Sequence, residues 1–163
     1  MSRRAPAGTP ALLALQAARV EHRVREYTHD PASGLSYGME AAQALGVEPA
    51  RVLKTLVAEV DGRLVVAVVP VTGELDLKAL APAVGGKRAT MAEPAAAERA
   101  TGYVVGGISP LGQRKRLTAV VDSSALDHAT VLVSAGRRGM DVELAPADLL
   151  ALTGATTARI GRP

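Results

Sequence analysis

The stretch TLVAEVDGRLVVAVVP (Thr55–Pro70) places two β-rich runs on either side of Asp61-Gly62. Asp-Gly is a favoured pair for a two-residue hairpin turn, because both turn positions need a positive φ. Valine dominates the runs, and its branched side chain suits a pleated, half-buried surface. Pro70 ends the second run, since proline has no N–H to give to a further ladder bond.

Working outward, the pattern predicts short helices between further strands. Upstream, Thr9-Pro10 reads as an N-cap and first helical position, opening a helix to about Val20 with Leu12, Leu13, Leu15 and Val20 on its buried side. Arg23 to Thr28 is extended, with Val24 on one face and Arg25 and Tyr27 on the other. HDPASGLSYG (His29–Gly38) is turn chemistry throughout, long enough to suspect a functional loop. A helix from about Met39 to Leu45 ends at Gly46, and Glu48-Pro49 starts a helical turn. Downstream, helices are expected over Leu75 to Ala83, Glu93 to Ala100 and Pro146 to Leu152. Strands are expected over Arg88 to Met91 and Leu117 to Asp122, with an edge strand over Thr157 to Ile160. Thr130 to Ser134 and Met140 to Leu144 form a second hairpin. Two hairpins break a strict βαβ rhythm, so the class is α/β with a mixed sheet rather than a doubly wound parallel one. Residues 1–8 read as a frayed tail, and 9–163 as one domain.

Of the 163 residues 48% are hydrophobic but only 2% aromatic, so the core must be built of Val, Leu, Ala and Ile. With three tyrosines and no Phe or Trp, base-stacking RNA modules that need several exposed aromatics are excluded. The net charge of +3 is too small for a dedicated DNA binder. The basic residues are bunched at Lys87-Arg88, Arg114-Lys115-Arg116 and Arg137-Arg138, which points to an anionic partner or to solvated loop faces. The absence of cysteine removes disulfides, thiolate metal sites and a protein thiol nucleophile. No stretch approaches the ~18 consecutive apolar residues of a membrane span, and the first residues do not form a secretory signal. The expectation is a cytoplasmic protein with no metal and no cofactor.

Several residues stand out chemically. Alternation places Lys54 with Val52, Leu56, Ala58 and Val60 on the more apolar face, where a lysine must reach solvent, pair with a carboxylate or face a ligand. Thr55 then points to the opposite face, and the two share a pocket only if the strand bends. Ser134 and Asp141 bracket the second hairpin and lie side by side, able to cap it or to bind a hydroxyl or an amine. In TGYVVGGISPLGQRKR (Thr101–Arg116), Gly106-Gly107 frees the backbone to approach a ligand, and Pro110 holds Ser109 extended. Such a loop is either a plain turn or a nest of N–H groups for an oxyanion. It fails as a P-loop, because Gln113-Arg114 stands where Lys and Ser/Thr are required. Ser109 has no histidine near it and no G-x-S-x-G around it.

Taken together, TGYVVGGISPLGQRKRL, VLKTL, VTGELDLKALA, YTHDP and VSAGRRGMDVEL resemble the YbaK/EbsC family of trans-editing aminoacyl-tRNA deacylases, relatives of the editing insertion domain of prolyl-tRNA synthetase. The resemblance runs in order from about Thr9 to Ile160 and is strongest to the YbaK-type Cys-tRNA(Pro) deacylases. It implies a partly barrel-like mixed sheet surrounded by short helices. It implies catalytic roles for Lys54 and for the backbone amides of Gly106, Gly107, Ile108 and Ser109. It also implies substrate contacts from Tyr27, Tyr37, Thr55, Pro110, Ser134 and Asp141. Tyr37 stands where the family often has Phe, which adds a hydroxyl to the pocket. Arg114, Lys115, Arg116, Arg137 and Arg138 are expected on the tRNA side. Expected partners are aminoacyl-tRNA(Pro) and, since no separate tRNA-binding domain is visible, prolyl-tRNA synthetase; DNA and membranes are not. The thiol of a mischarged cysteine would attack its own carbonyl, so that no protein nucleophile is needed. A deacylase for alanine or another small residue, and a non-catalytic tRNA- or synthetase-binding module, are the alternatives.

Overall fold

Asp61 and Gly62 sit at φ 51° and 84°, and Val60 pairs directly with Arg63 across them. This tight turn joins β2 (Leu53–Val60) to β3 (Arg63–Pro70) in full antiparallel register from Val60–Arg63 to Leu53–Pro70. The computed structural model describes residues 8–163, so the tail expected over 1–8 lies outside the described residues except for Gly8. In chain order the other elements are α1 (Pro10–Ala18), β1 (Arg23–Glu26), α2 (Tyr37–Leu45), β4 (Glu74–Leu75), α3 (Leu77–Ala83), β5 (Ala89–Met91), α4 (Pro94–Thr101), β6 (Thr118–Asp122), β7 (Val131–Arg137), β8 (Met140–Leu144), α5 (Pro146–Thr153), β9 (Thr156–Ala158) and β10 (Gly161–Arg162).

The main sheet runs β5-β2-β3-β6-β9, and a second runs β1-β8-β7; β10 and β4 form a short pair. β3–β6 and β6–β9 are parallel, while the other pairs are antiparallel, so the sheet is mixed. The two larger sheets meet at one bridge, Val52–Leu132, and do not close into a barrel. One core packs the Leu53–Val57 face of β2 and the Val66–Val68 face of β3 against α1, β7 and β8. A second packs Ala58, Val60, Val65 and Val69 under Leu80 and Ala81 of α3.

Three local expectations are corrected. α1 stops at Ala18, because Arg19 turns left-handed at φ 55°, and Leu13 is 53% exposed while Ala11, Leu12 and Leu15 are buried. At 100° per residue, a face centred on Ala11, Leu12 and Leu15 turns Leu13 outward. α2 begins at Tyr37 rather than Met39, since the Ser36 hydroxyl accepts from the Met39 N–H at 3.3 Å and is the true N-cap. α3 starts at Leu77, where Asp76 caps the N–H groups of Lys78 and Ala79, and Glu74–Leu75 is a short strand instead.

The smaller sheet is locked to the turn before β2 by charge. Glu143 on β8 accepts from Arg25 of β1 at 2.6 Å, from Arg51 at 2.7 Å and from the Thr130 hydroxyl at 2.6 Å. The Thr130 bond, then Arg25 and Arg51, hold its carboxyl below the usual range against the opposing effect of burial. This knot fixes how β7 and β8 stand against the start of β2.

Candidate functional site

Residues 53–57 of β2 are left without a strand on one edge. β5 pairs only with Ala58 to Val60, and the bridge to β7 touches only Val52. A cavity of about 400 Å³ lies along this open edge, closed by α2, α4, the glycine loop and the β7–β8 sheet. Lys54 and Thr55 occupy opposite faces of the strand, yet both line the cavity because it wraps the free edge. The sharing predicted to need a bend comes from the missing neighbour.

Seven of the expected site residues line this cavity: Tyr37, Lys54, Thr55, Gly106, Ile108, Ser134 and Asp141. Ser134 and Asp141 are register partners on β7 and β8, as the hairpin predicted. The Ser134 hydroxyl accepts from the Gly136 N–H at 3.1 Å, which leaves its own proton to donate. Asp141 is 8% exposed, and burial pushes its carboxyl up to about 7 with no opposing hydrogen bond. The Thr55 hydroxyl is buried without a hydrogen-bond partner. Lys54 makes no ion pair among the described residues. The remaining wall is apolar, with Leu56, Val57, Met91, Pro94 and Val105 prominent. Sequence reading misses this wall, since its members come from four separate segments and each looks like ordinary core or loop.

Other expected residues stand elsewhere. Tyr27 lies outside the cavity lining but close enough to Asp141 that burial and then this charge raise its phenol. The Gly107 N–H is already donated to the Val104 carbonyl at 2.9 Å, so it is spent inside the loop. Ser109 is fully buried, and its hydroxyl accepts from the Leu111 N–H, holding the turn rather than facing the cavity. Pro110 lines a different, smaller hollow with Gln113 and Lys115. The glycine loop is therefore a built structure: Tyr103 is 5% exposed and its hydroxyl donates to the Leu111 carbonyl at 2.6 Å. Gln113 caps the Ser109 carbonyl, and Glu98 accepts from the Val105 N–H.

The basic clusters divide. Lys115 and Arg116 line an open groove with Arg63, at the hairpin-turn end of β3. Lys54 pairs with Val69, six residues from Arg63 along that strand, a separation of roughly 20 Å. Arg137 and Arg138 instead flank the cavity. Arg137 pairs loosely with Glu26 at 3.7 Å, and the Arg138 guanidinium lies 4.4 Å from the centre of the Tyr37 ring. Among the described residues no group of three or more His, Asp or Glu side chains is arranged to hold a metal ion. No described helix is long and apolar enough to cross a membrane.

The cavity combines an apolar wall with one lysine, one buried carboxyl and the hydroxyls of Thr55 and Ser134. The fold and site thus define a mostly apolar cavity with a few polar groups, the form of a small-molecule binding site. The aminoacyl-tRNA editing domain model matches residues 36–152, and the chain belongs to that family, the one its motifs resemble. It is 44% identical over 121 residues to a protein of Enterococcus faecalis named Cys-tRNA(Pro)/Cys-tRNA(Cys) deacylase EbsC, covering 73% of each chain. It is 33% identical to the multifunctional Ser/Thr-tRNA deacylase ProXp-y of Escherichia coli, over 60% of this chain and 61% of that protein. Among solved structures, one described as a trans-editing enzyme for prolyl-tRNA synthetase superposes with a TM-score of 0.81 at 30% identity, covering 94% of this chain and 96% of that one.

Proposed function

We propose that this aminoacyl-tRNA deacylase acts in trans on mischarged Cys-tRNA(Pro), in the cytoplasm where aminoacyl-tRNAs are made and used. The observation that carries the reading is that one cavity without a protein nucleophile is lined by both the buried Asp141 carboxyl and the unpartnered Thr55 hydroxyl. The Thr55 hydroxyl is buried with nothing to bond and burial disfavours the ionised form of Asp141, and a ligand carrying an ammonium group offers a donor to the first and a counter-charge to the second. Ionised Asp141, with Ser134, orients the amine or thiol. Lys54 holds the terminal phosphate or ribose by charge. Gly106 and Ile108, which both line the cavity, supply backbone amides to the carbonyl oxygen.

The thiol of the cysteinyl group then attacks its own ester carbonyl. A C–S bond forms, the ester C–O bond breaks, and the thiol proton passes to the departing ribose oxygen. The chain's lack of cysteine and the engaged Ser109 hydroxyl are consistent with this substrate-assisted route. Prolyl-tRNA synthetase is the proposed partner that presents the tRNA, in keeping with the description of the superposed structure. A second reading, release of serine, alanine or another small residue through attack by water or a ribose hydroxyl, is favoured by the likeness to the Ser/Thr-tRNA deacylase.

The test is hydrolysis of Cys-, Ala- and Ser-tRNA(Pro) side by side, with and without the synthetase. The proposal expects Cys-tRNA(Pro) to be cleared fastest, and the synthetase to sharpen selection of tRNA(Pro). Faster clearance of Ala- or Ser-tRNA(Pro) establishes the second reading. Binding without any acceleration over spontaneous hydrolysis makes the chain a non-catalytic module.

A further inference from the structure

Four residues from three separate segments meet at the cavity entrance in a continuous chain. Glu40, on α2, is 5% exposed, which is unusual for a carboxylate and requires partners. It has two: the Asp30 N–H donates to one oxygen at 2.6 Å, and His29 Nδ1 donates to the other at 2.7 Å. A carboxylate only accepts, so Nδ1 must carry the hydrogen, and the orientation of the His29 ring is fixed. The His29 ring meets Tyr37 edge to face, with centroids 5.3 Å apart at 63°. On the Tyr37 ring lies the Arg138 guanidinium, 4.4 Å from its centre.

The chain ends against the glycine loop. A Cβ built on Gly106 would stand 3.0 Å from Tyr37 Cε2, 3.0 Å from Arg138 Nε and 3.2 Å from its Nη2. Gly106 also sits at φ +96°, so the backbone favours glycine there and a Cβ would crowd both side chains. Arg138 makes no ion pair among the described residues, whereas its neighbour Arg137 has Glu26. An unpaired guanidinium held over a ring face keeps N–H donors free for a second, anionic partner.

We propose that Glu40 and His29 are positioning residues for the cavity entrance: by fixing Tyr37 they hold Arg138 over its ring and beside Gly106, with donors available to a phosphodiester of the entering RNA end. The proposal rests on the deacylase reading for the identity of that anion. Glu40 and His29 touch neither substrate nor reacting ester; they act through Tyr37. Tyr37 thus does more than line the pocket, because it carries the cation on its ring and packs against the histidine. The arrangement orients the RNA end before chemistry and contributes to binding rather than to the chemical step.

Two readouts test it, one independent of any activity. The Hε proton of Arg138, over the ring face, should resonate upfield of the other arginines in a 1H–15N spectrum; loss of the peak in Arg138→Lys assigns it. His29→Ala should move this resonance towards the exposed-arginine position. It should also raise KM for Cys-tRNA(Pro) about tenfold, as losing one charge-assisted contact does, with kcat within about twofold. His29→Asn keeps a donor where Nδ1 stands, leaves Glu40 paired and should restore much of both. Tyr37→Leu removes the platform but leaves the Glu40–His29 pair, and should shift Arg138 and KM as His29→Ala does. This variant carries the test if His29→Ala does not fold.

An unchanged Arg138 resonance in Tyr37→Leu or in a folded His29→Ala overturns the proposal, as does a loss confined to kcat. If no charged tRNA is hydrolysed, the deacylase reading fails. The resonance shifts still decide whether the chain of contacts exists.

Discussion

At the scale of single residues, Asp141 and Thr55 hold a cost in the free protein that binding can recover. Because burial raises the Asp141 carboxyl from 3.8 to about 7, the folded chain keeps a proton that the unfolded chain releases across that window. Folding stability from this group therefore falls as pH rises from about 4 to about 7, and is level above. Asp141→Asn should melt higher than the wild type at pH 8, with the gap closing towards pH 4. Binding an ammonium needs the ionised form, so kcat/KM should rise with pH through about 7, then fall as the substrate amine deprotonates near about 8. In Asp141→Asn the acid limb should vanish and the rate drop about 10- to 100-fold; a retained acid limb assigns it to another group. Thr55→Val keeps the shape and removes the unpaired hydroxyl. It should raise stability to urea by about 1 kcal/mol while weakening substrate binding, and a loss of stability would mean that water already satisfies the hydroxyl. The Ser134–Asp141 pair is legible in the sequence, because a hairpin fixes who stands opposite whom. Thr55 is not: alternation points it away from Lys54, and only the short reach of β5 leaves an edge around which both can serve one cavity.

At the scale of elements, Asp61-Gly62, the second hairpin and the capped helices are legible because each is dictated by local chemistry. The boundaries that shift do so for tertiary or capping reasons, as with Ser36 at α2 and the left-handed Arg19 after α1. The Glu143 knot is not legible, since Arg25, Arg51, Thr130 and Glu143 are far apart in the chain and each alone reads as a surface residue. It is what aligns β7 and β8, with Ser134 and Asp141, against the start of β2. Glu143→Gln should lower stability to denaturant by about 1–3 kcal/mol at neutral pH, because it leaves two guanidinium groups short of a counter-charge. The carboxyl is held below its ordinary 4.5, so its contribution is complete above that value and disappears as pH falls through the lower, folded one. Wild type and variant should therefore converge in acid, and a gap that persists there would place the effect in packing.

For the molecule as a whole, mixed sheets leave one edge of β2 open, and the glycine loop, α2 and the second hairpin close over it. The cavity gathers seven of the residues that the family resemblance marks as site residues. The basic residues divide: Arg138 lies over Tyr37 of the cavity lining, while Lys115 and Arg116 line a separate groove with Arg63. No linear motif reveals that division, because it arises from how the folded segments meet. The central claim is that the cavity around Lys54 releases the aminoacyl group from tRNA. Single-turnover deacylation of Cys-tRNA(Pro) by wild type and Lys54→Ala, with matched thermal melts, tests it most directly. The account predicts a loss of about 100-fold or more in rate with the melt preserved; hydrolysis by Lys54→Ala at the wild-type rate would contradict it.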